Sequence, residues 1–338
     1  MHPKVLLIGH LYHPDGETHL AARADLTVLP APTREELLEA AKTAQAISPR
    51  YPHRADSDVI EAAEDLVIIH TSGRGTDAVD VEAATRRGVI VCNNPGFGRI
   101  PVSEHALFLM LGLSRHGREH DAIMRTGRGW EDRLQKHNII RDLQGGVLGI
   151  VGLGQIGSEM ARKCAVAFDM TVLAYDPYVS QKHAESVGAT LCPTLEDLLG
   201  KADYVSIHAE LNDDTHHIIN ETTLRQMQPH ACLINTARGK IVSQDALHKA
   251  LTEGWIRAAA LDVYEVEPVG PDNPLLALDN LLLSPHIGGL TESFMSGSAM
   301  AVATKILQAL SGQPPEDIVN PEAWEPAKQR AMRLLSGA

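Results

Sequence analysis

In Val147-Leu148-Gly149-Ile150-Val151-Gly152-Leu153-Gly154-Gln155-Ile156-Gly157 an apolar run of strand length meets Gly-x-Gly-x-x-Gly, and a second apolar run, Thr171-Val172-Leu173-Ala174-Tyr175, closes on Asp176. Strand, glycine turn, helix, strand, acid is the order of a dinucleotide-binding βαβ unit. Gly152, Gly154 and Gly157 permit a tight turn and a close approach of backbone to a pyrophosphate. The helix that opens with Gln155 and Ile156 points free N–H groups and its positive dipole end at the phosphates. Asp176 lies 19 residues beyond Gly157, near the spacing of an acid that binds ribose hydroxyls. A 2′-phosphate there meets like charge, so NAD is expected rather than NADP. A glycine turn alone is a weak sign, because such turns also serve packing; here every flanking element agrees with it.

Outward from this motif, short β-rich runs alternate with helical patterns, which signals parallel sheets covered on both faces. Before it, strands are expected at Lys4–Ile8, Leu26–Leu29, Ala44–Ile47, Leu66–Ile69 and Val89–Cys92, with helices at Thr33–Ala41 and Ala78–Arg87. Thr33 with Glu36 forms a capping box. From Val147 a separate series continues through Thr171–Tyr175, Tyr204–His208, Cys232–Asn235, Ala258–Leu261 and Leu281–Ser284. Two independent series imply an α/β chain with two doubly wound parallel-sheet domains. A long helix from about Pro101 to Thr126 separates them, and a second, about Glu292 to Leu310, follows the last strand before a Pro314-Pro315 stop. The segment after the last strand is expected to return to the first unit, with a cleft between the sheets.

Composition narrows the function classes. The 338 residues suffice for about two domains. Hydrophobic residues make up 44% but aromatics only 4%, so the cores are aliphatic. No uncharged run reaches the ~18 residues of a membrane span, and the N-terminus reads as a strand and not as a signal peptide. A net charge of −13 repels nucleic-acid phosphates. Cys92, Cys164, Cys192 and Cys232 lie in or beside apolar runs without a Cys-x-x-Cys pair, so buried, reduced thiols in a cytoplasmic protein are expected. The 17 histidines are dispersed, without His-Glu-x-x-His, and no metal site is expected. The side chains of the adjacent His216 and His217 would diverge on any regular element.

Three strand ends carry capable side chains: Asn235-Thr236-Ala237-Arg238-Gly239, Asp262-Val263-Tyr264-Glu265-Val266-Glu267-Pro268 and Ser284-Pro285-His286-Ile287-Gly288-Gly289. Reduction of a 2-keto acid needs a hydride donor, a proton donor to the carbonyl oxygen and a cation for the carboxylate. Histidine titrates near neutrality and suits proton transfer. A carboxylate beside an imidazole fixes its tautomer and favours its protonated form. Arginine presents a planar fork that matches a carboxylate. Arg238 equally suits a surface ion pair, Glu265 and Glu267 are both loop acids, and a lone histidine more often caps a strand.

Taken together these segments resemble the D-isomer-specific 2-hydroxyacid dehydrogenases, over nearly the whole chain. The resemblance implies a Rossmann NAD domain (101–289) inserted into a flavodoxin-like substrate-binding domain (1–100 and 290–338), with an interdomain cleft. It implies interconversion of a 2-keto acid and a D-2-hydroxy acid, with His286 as general acid or base, Glu267 as its partner and Arg238 orienting the substrate carboxylate. Glu267 is preferred to Glu265 because it directly precedes Pro268. Asp262 resembles a nicotinamide carboxamide contact, Thr236 and Ala237 backbone contacts near the ring, and His208 a residue beside the cofactor. His70-Thr71-Ser72-Gly73-Arg74-Gly75-Thr76-Asp77 resembles the glycine loop whose N–H groups, at Gly73 and Gly75, hold the substrate carboxylate. Asn94-Pro95-Gly96 and Val102-Ser103-Glu104-His105 resemble the approach to the interdomain helix. A homodimer is implied, through the cofactor-binding unit and the Ile123–Arg133 region, with Trp130 as an anchor.

Two positions depart from the family pattern. Glu210 replaces a common proline and alters the expected adenosine pocket. Arg74 replaces a small or aliphatic residue, and Arg50 sits where some members hold a second anionic group, which points to a substrate with a second negative charge. Rival readings are an NAD-binding scaffold of corepressor type without turnover, and phosphoglycerate dehydrogenase proper. A formate-type enzyme is disfavoured, because its histidine partner is typically a glutamine.

Overall fold

The computed structural model describes residues 2–50, 52–133 and 140–337, and the chain divides into two compact units, Met1–Gly98 with Leu290–Ala338, and Arg99–Gly289. In the first unit five parallel strands, β1 (Lys4–Ile8), β2 (Asp25–Leu29), β3 (Ala46–Pro49), β4 (Ile68–His70) and β5 (Ile90–Cys92), lie in the order β2-β1-β3-β4-β5. Side chains of a strand alternate between faces, and β1 shows both. Val5 and Leu7 pack with the helices Pro14–Ala21, Glu292–Leu310 and Trp324–Ser336, whereas Leu6 and Ile8 pack with Arg34–Ala41, Ser57–Ala62 and Val81–Arg86. With apolar layers on both faces, β1 must be apolar from Val5 to Ile8, as its sequence is, and only Lys4 at its start is exposed. The capping box of Thr33 and Glu36 is present.

In the second unit seven parallel strands follow: β6 (Val147–Val151), β7 (Thr171–Tyr175), β8 (Ala189–Leu191), β9 (Tyr204–Ile207), β10 (Cys232–Asn235), β11 (Ala258–Leu261) and β12 (Leu281–Leu283). Their order is β12-β11-β10-β9-β6-β7-β8, which reverses direction at the β6/β9 pair. Ligands of open α/β sheets bind beyond the carboxyl ends of strands at such a reversal. The glycine turn leaves β6 at that point. Leu109 and Met110 of the helix Arg99–Ser114 fill the same core layer as Leu148, Ile150 and Ile234.

Three expectations need correction. The helix foreseen over 101–126 is two helices, Arg99–Ser114 and Gly117–Arg125, broken at His116 with φ +50°. The first piece is packed in the core, while the second buries no residue and is anchored by Arg118 to the carbonyls of Leu278, Asp279 and Leu281. Tertiary contacts therefore set its direction. His216 and His217 do not diverge; their ring centroids lie 4.1 Å apart, because His217 takes φ +50° and leaves regular geometry. The third strand begins at Ala46 and not at Ala44, whose N–H bonds back to Ala41 O at the end of the preceding helix. Three of the four cysteines are buried and Cys192 is half-buried; all four are free thiols. Among the described residues no helix is long and apolar enough to cross a membrane.

Candidate active site

Beyond β6, Gly152 has φ +91°, and a Cβ there would lie 2.5 Å from Ala209 N. Both the turn and the neighbouring strand end demand glycine. A Cβ on Gly157 would overlap Gly152 O, so this glycine sets the helix Gln155–Phe168 tight against the turn. Gly154 is the N-cap without a side-chain cap, and open space lies where its Cβ would be. The first N–H groups of a 14-residue helix thus face a gap suited to a pyrophosphate.

Asp176, at the end of β7, accepts from Leu153 N at 2.8 Å through Oδ2 and from Tyr178 N at 2.9 Å through Oδ1. It braces the glycine turn, and a carboxylate has about four lone-pair positions, so acceptors remain for two ribose hydroxyls. The buried polar atoms without a hydrogen-bond partner among the described residues include two at neighbouring strand ends, Thr236 Oγ1 and His208 Nδ1. His208 Nε2 meets Ser206 Oγ at 2.9 Å, and burial pushes its pKa down to about 4, so the ring is neutral at pH 7. The glycine cradle and these unpaired atoms fit a bound dinucleotide.

Arg238 is placed by Asn235, a buried residue at the end of β10. Asn235 Oδ1 accepts from Ala237 N at 3.0 Å and its Nδ2 donates to Arg238 O at 2.9 Å. Arg238 Nη1 donates to Ala237 O at 2.7 Å. A Cβ on Gly239 would overlap the Tyr264 backbone, so the arginine turn rests directly on the loop that follows β11.

On that loop Glu267 Oε1 accepts from Tyr264 N at 2.9 Å, and Oε2 meets His286 Nδ1 at 2.7 Å. The carboxylate is mostly buried and the imidazole half-exposed. Glu265 is engaged elsewhere, with His217 Nε2 at 3.0 Å and Gln244 N at 2.6 Å. Of the two loop acids, Glu267 reaches the histidine. Because Nδ1 is held by the carboxylate, Nε2 is left as the ring's working nitrogen.

His286 takes φ +55°, and Asp262 secures its turn. Asp262 Oδ1 accepts from Ser284 Oγ at 2.6 Å and Ile287 N at 2.9 Å, and Oδ2 from Gly288 N at 2.8 Å. His105 Nε2 lies 2.8 Å from Ser284 Oγ and 3.4 Å from Asp262 Oδ1. Burial pushes the Asp262 carboxyl up, but the hydrogen bonds from His105, Ser284, Ile287 and Gly288 outweigh it and hold it below its usual range. Sequence reasoning named His105 only as part of a helix approach. The one available signal was a histidine on an otherwise apolar helix face, which periodicity cannot tie to a strand end far along the chain.

The first unit carries the remaining candidates. Arg50 follows β3; its side chain packs over Gly9, where φ is +85°. Its guanidinium lies 4.7 Å from the Tyr12 ring centroid and donates to His10 O at 3.3 Å. Arg74 is exposed on the loop with Gly73 and Gly75, and Asn93 Nδ2 donates to its carbonyl at 2.7 Å. Open space lies where a Gly73 Cβ would be.

Residues 107–288 match the family described as D-isomer specific 2-hydroxyacid dehydrogenase, NAD binding domain. The chain belongs to this family, and its second unit is a domain of the NAD-binding kind. It is 40% identical over 306 residues to a glyoxylate reductase of Thermofilum pendens, covering 90% of this chain and 89% of that one. It is 39% identical to a D-3-phosphoglycerate dehydrogenase of Methanocaldococcus jannaschii over 93% of its own length, and spans 59% of that relative's length. A solved structure of Rhodotorula graminis D-mandelate dehydrogenase superposes with a TM-score of 0.85 at 28% identity, covering 94% of this chain and 97% of that one.

Proposed function

We propose that the protein interconverts a 2-keto acid and a D-2-hydroxy acid. The observation that carries this reading is the 2.7 Å contact of Glu267 with His286 Nδ1, in a unit whose glycine turn fits a dinucleotide. Gly152, Gly154, Gln155, Ile156 and Gly157 would hold the pyrophosphate, Asp176 the adenosine ribose, and Thr236, Ala237 and His208 the nicotinamide end, with Asp262 bracing the His286 turn beside it. When bound, NAD supplies or accepts the hydride. Arg238 pairs with the substrate carboxylate as a planar fork. His286 holds a proton at Nε2 for the carbonyl oxygen in reduction, and takes it from the hydroxyl in oxidation. Glu267 keeps the other ring nitrogen protonated and balances the imidazolium charge. The backbone of Gly73 and Gly75 would receive the carboxylate in the first unit.

The relatives' names bracket the substrate, since one acts on small glyoxylate and the other on a phosphorylated acid. Arg50, held against Tyr12, and exposed Arg74 favour a substrate with a second anionic group. The uncovered apolar side chains of Phe108, Met124, Trp130 and Ile140 support a homodimer, and four free thiols suit a cytoplasmic setting. The test is NADH oxidation against glyoxylate, hydroxypyruvate, pyruvate, sulfopyruvate and oxaloacetate. Turnover that vanishes in His286→Asn is expected. NADH binding without turnover of any of these acids would favour a scaffold instead.

A further inference from the structure

Behind the Gly73–Gly75 loop lies a charge that the proposed reaction does not use. Lys305, on the helix Glu292–Leu310, is only 8% exposed, yet its ammonium has three acceptors for three protons: Asn93 O at 2.9 Å, Asn94 Oδ1 at 3.2 Å and Asp317 Oδ2 at 2.6 Å. The two asparagines in turn hold the loop. Asn94, itself buried, donates through Nδ2 to Ser72 O at 3.2 Å and through its backbone N to Gly73 O at 2.9 Å. Asn93 Nδ2 donates to Arg74 O at 2.7 Å, and Ser298 Oγ donates to Ser72 O. Three consecutive loop carbonyls are therefore tied down on one side.

A trans peptide is planar, and its C=O and the following N–H point in opposite directions. Fixing the carbonyls of Ser72, Gly73 and Arg74 consequently fixes the directions of the N–H groups of Gly73, Arg74 and Gly75. Those of Gly73 and Gly75 are the donors the proposed function assigns to the substrate carboxylate, and that of Arg74 lies between them. Asp317, at φ +59°, meets the ammonium through its side chain, while its backbone carbonyl accepts from Asn93 N at 3.4 Å. Its part is to offset a buried charge that would otherwise be costly. The neighbouring His70 adds no charge of its own, since burial and the nearby ammonium push its pKa down to about 3.

We propose that Lys305 is a positioning residue, which aims the backbone N–H groups of Gly73 and Gly75 at the substrate carboxylate through Asn93 and Asn94 while Asp317 neutralises it. The inference rests on the reading of this loop as a carboxylate holder. It is tested with Lys305→Met, Ser298→Ala and Asp317→Asn in the full chain, by steady-state kinetics, thermal unfolding and hydrogen exchange over residues 72–76. Lys305→Met is expected to raise KM for the 2-keto acid about tenfold, the scale of one lost hydrogen bond to a charged group. KM for NADH and kcat should move by no more than about twofold, well below that scale. Exchange at Gly73, Arg74 and Gly75 should quicken. Ser298→Ala should shift KM and exchange in the same direction by less, and it decides the matter if Lys305→Met does not fold. Asp317→Asn should lower the unfolding temperature while leaving the keto-acid KM nearly unchanged. Lowered unfolding temperatures with unchanged KM and unchanged loop exchange in both Lys305→Met and Ser298→Ala would overturn the proposal. If the wild type turns over no 2-keto acid, the reaction reading fails, and loop exchange alone still decides whether Lys305 orders these amides.

Discussion

Replacing Asp262 by asparagine separates two roles that the residue could have. Its carboxylate accepts from Ser284 Oγ, Ile287 N and Gly288 N, all within or beside the turn that carries His286. An amide in the better of its two orientations keeps its oxygen toward Ser284 and Ile287. Its NH₂ then faces the Gly288 N–H, so one charge-assisted bond is lost and a buried donor is left unpaired. The expected cost is about 2–3 kcal/mol. For a unit of this size that corresponds to a fall of roughly 5–10 °C in the unfolding temperature.

A loosened turn also misplaces the imidazole. A displacement of about 1 Å can cost on the order of 10²-fold in rate, so kcat is expected to fall between roughly tenfold and a hundredfold. NADH affinity should change little. Differential scanning fluorimetry, NADH titration by fluorescence and steady-state kinetics read the three quantities in one preparation. An unchanged unfolding temperature with NADH binding weakened tenfold or more would refute the reasoning, and would make Asp262 a nicotinamide contact first. The pH dependence carries the same sign. A carboxyl held below its unfolded pKa contributes stability above about pH 4, and that contribution is lost as pH falls further. Asp262→Asn should therefore be less sensitive than the wild type to acid in that range.

Glu267→Gln keeps the size of the side chain but no longer compels a proton on His286 Nδ1; kcat should fall on the order of 10²-fold with KM for NADH nearly constant, and wild-type turnover would exclude the proton role. Asp176→Ala removes a ribose acceptor and the like charge facing a 2′-phosphate, so stopped-flow or steady-state comparison should show NADH weakened about tenfold and the preference over NADPH reduced. Equal wild-type rates with both cofactors would contradict this. Arg74→Ala should lower kcat/KM on dianionic 2-keto acids about tenfold more than on monoanionic ones, the worth of one charge-assisted bond, and an equal loss on both would sink the second-anion reading. His208, with a pKa of about 4 in the fold against 6.5 unfolded, must charge before it can follow the unfolded chain's protonation. Its contribution is intact above pH 6.5 and drains away as pH falls toward 4, by an upper bound of roughly 3 kcal/mol. His208→Gln should flatten the fall in unfolding temperature between pH 7 and 4; an unaltered slope would count against it.

How far the molecule could be read in advance depended on how local each cause was. The strands of the nucleotide unit were legible because a strand covered on both faces needs an unbroken apolar run, and Val172–Ala174, Cys232–Ile234 and Ala258–Leu261 supply one. Glycines were legible for a similar reason: Gly152 answers to its own φ and to a backbone beside it. The strand Ala189–Leu191 is not legible because it is a short edge strand with exposed Thr190 at its centre, and so lacks the unbroken apolar run of Ile90–Cys92 or Leu281–Leu283. The break at His116 was also hidden. Helical periodicity continues across it, and what redirects the chain is Arg118 binding carbonyls more than a hundred and fifty residues away.

The same distinction runs through the candidate site. Arg238, Glu267 and His286 announced themselves as chemically capable residues at strand ends. The groups that hold them did not, since Asn235, Asp262, Ser284 and His105 have ordinary local contexts and acquire their roles only when β10, β11 and β12 lie side by side. Lys305 is the extreme case. A lysine on a helix is normally read as solvent-facing, because burying an ammonium without compensation is costly. Here compensation comes from Asn93, Asn94 and Asp317, two of them more than two hundred residues before the lysine in sequence. Reactive groups can thus be found from their own chemistry, whereas the groups that aim them are visible only through their partners. A variant survey confined to the three strand-end residues would accordingly miss much of what sets substrate affinity.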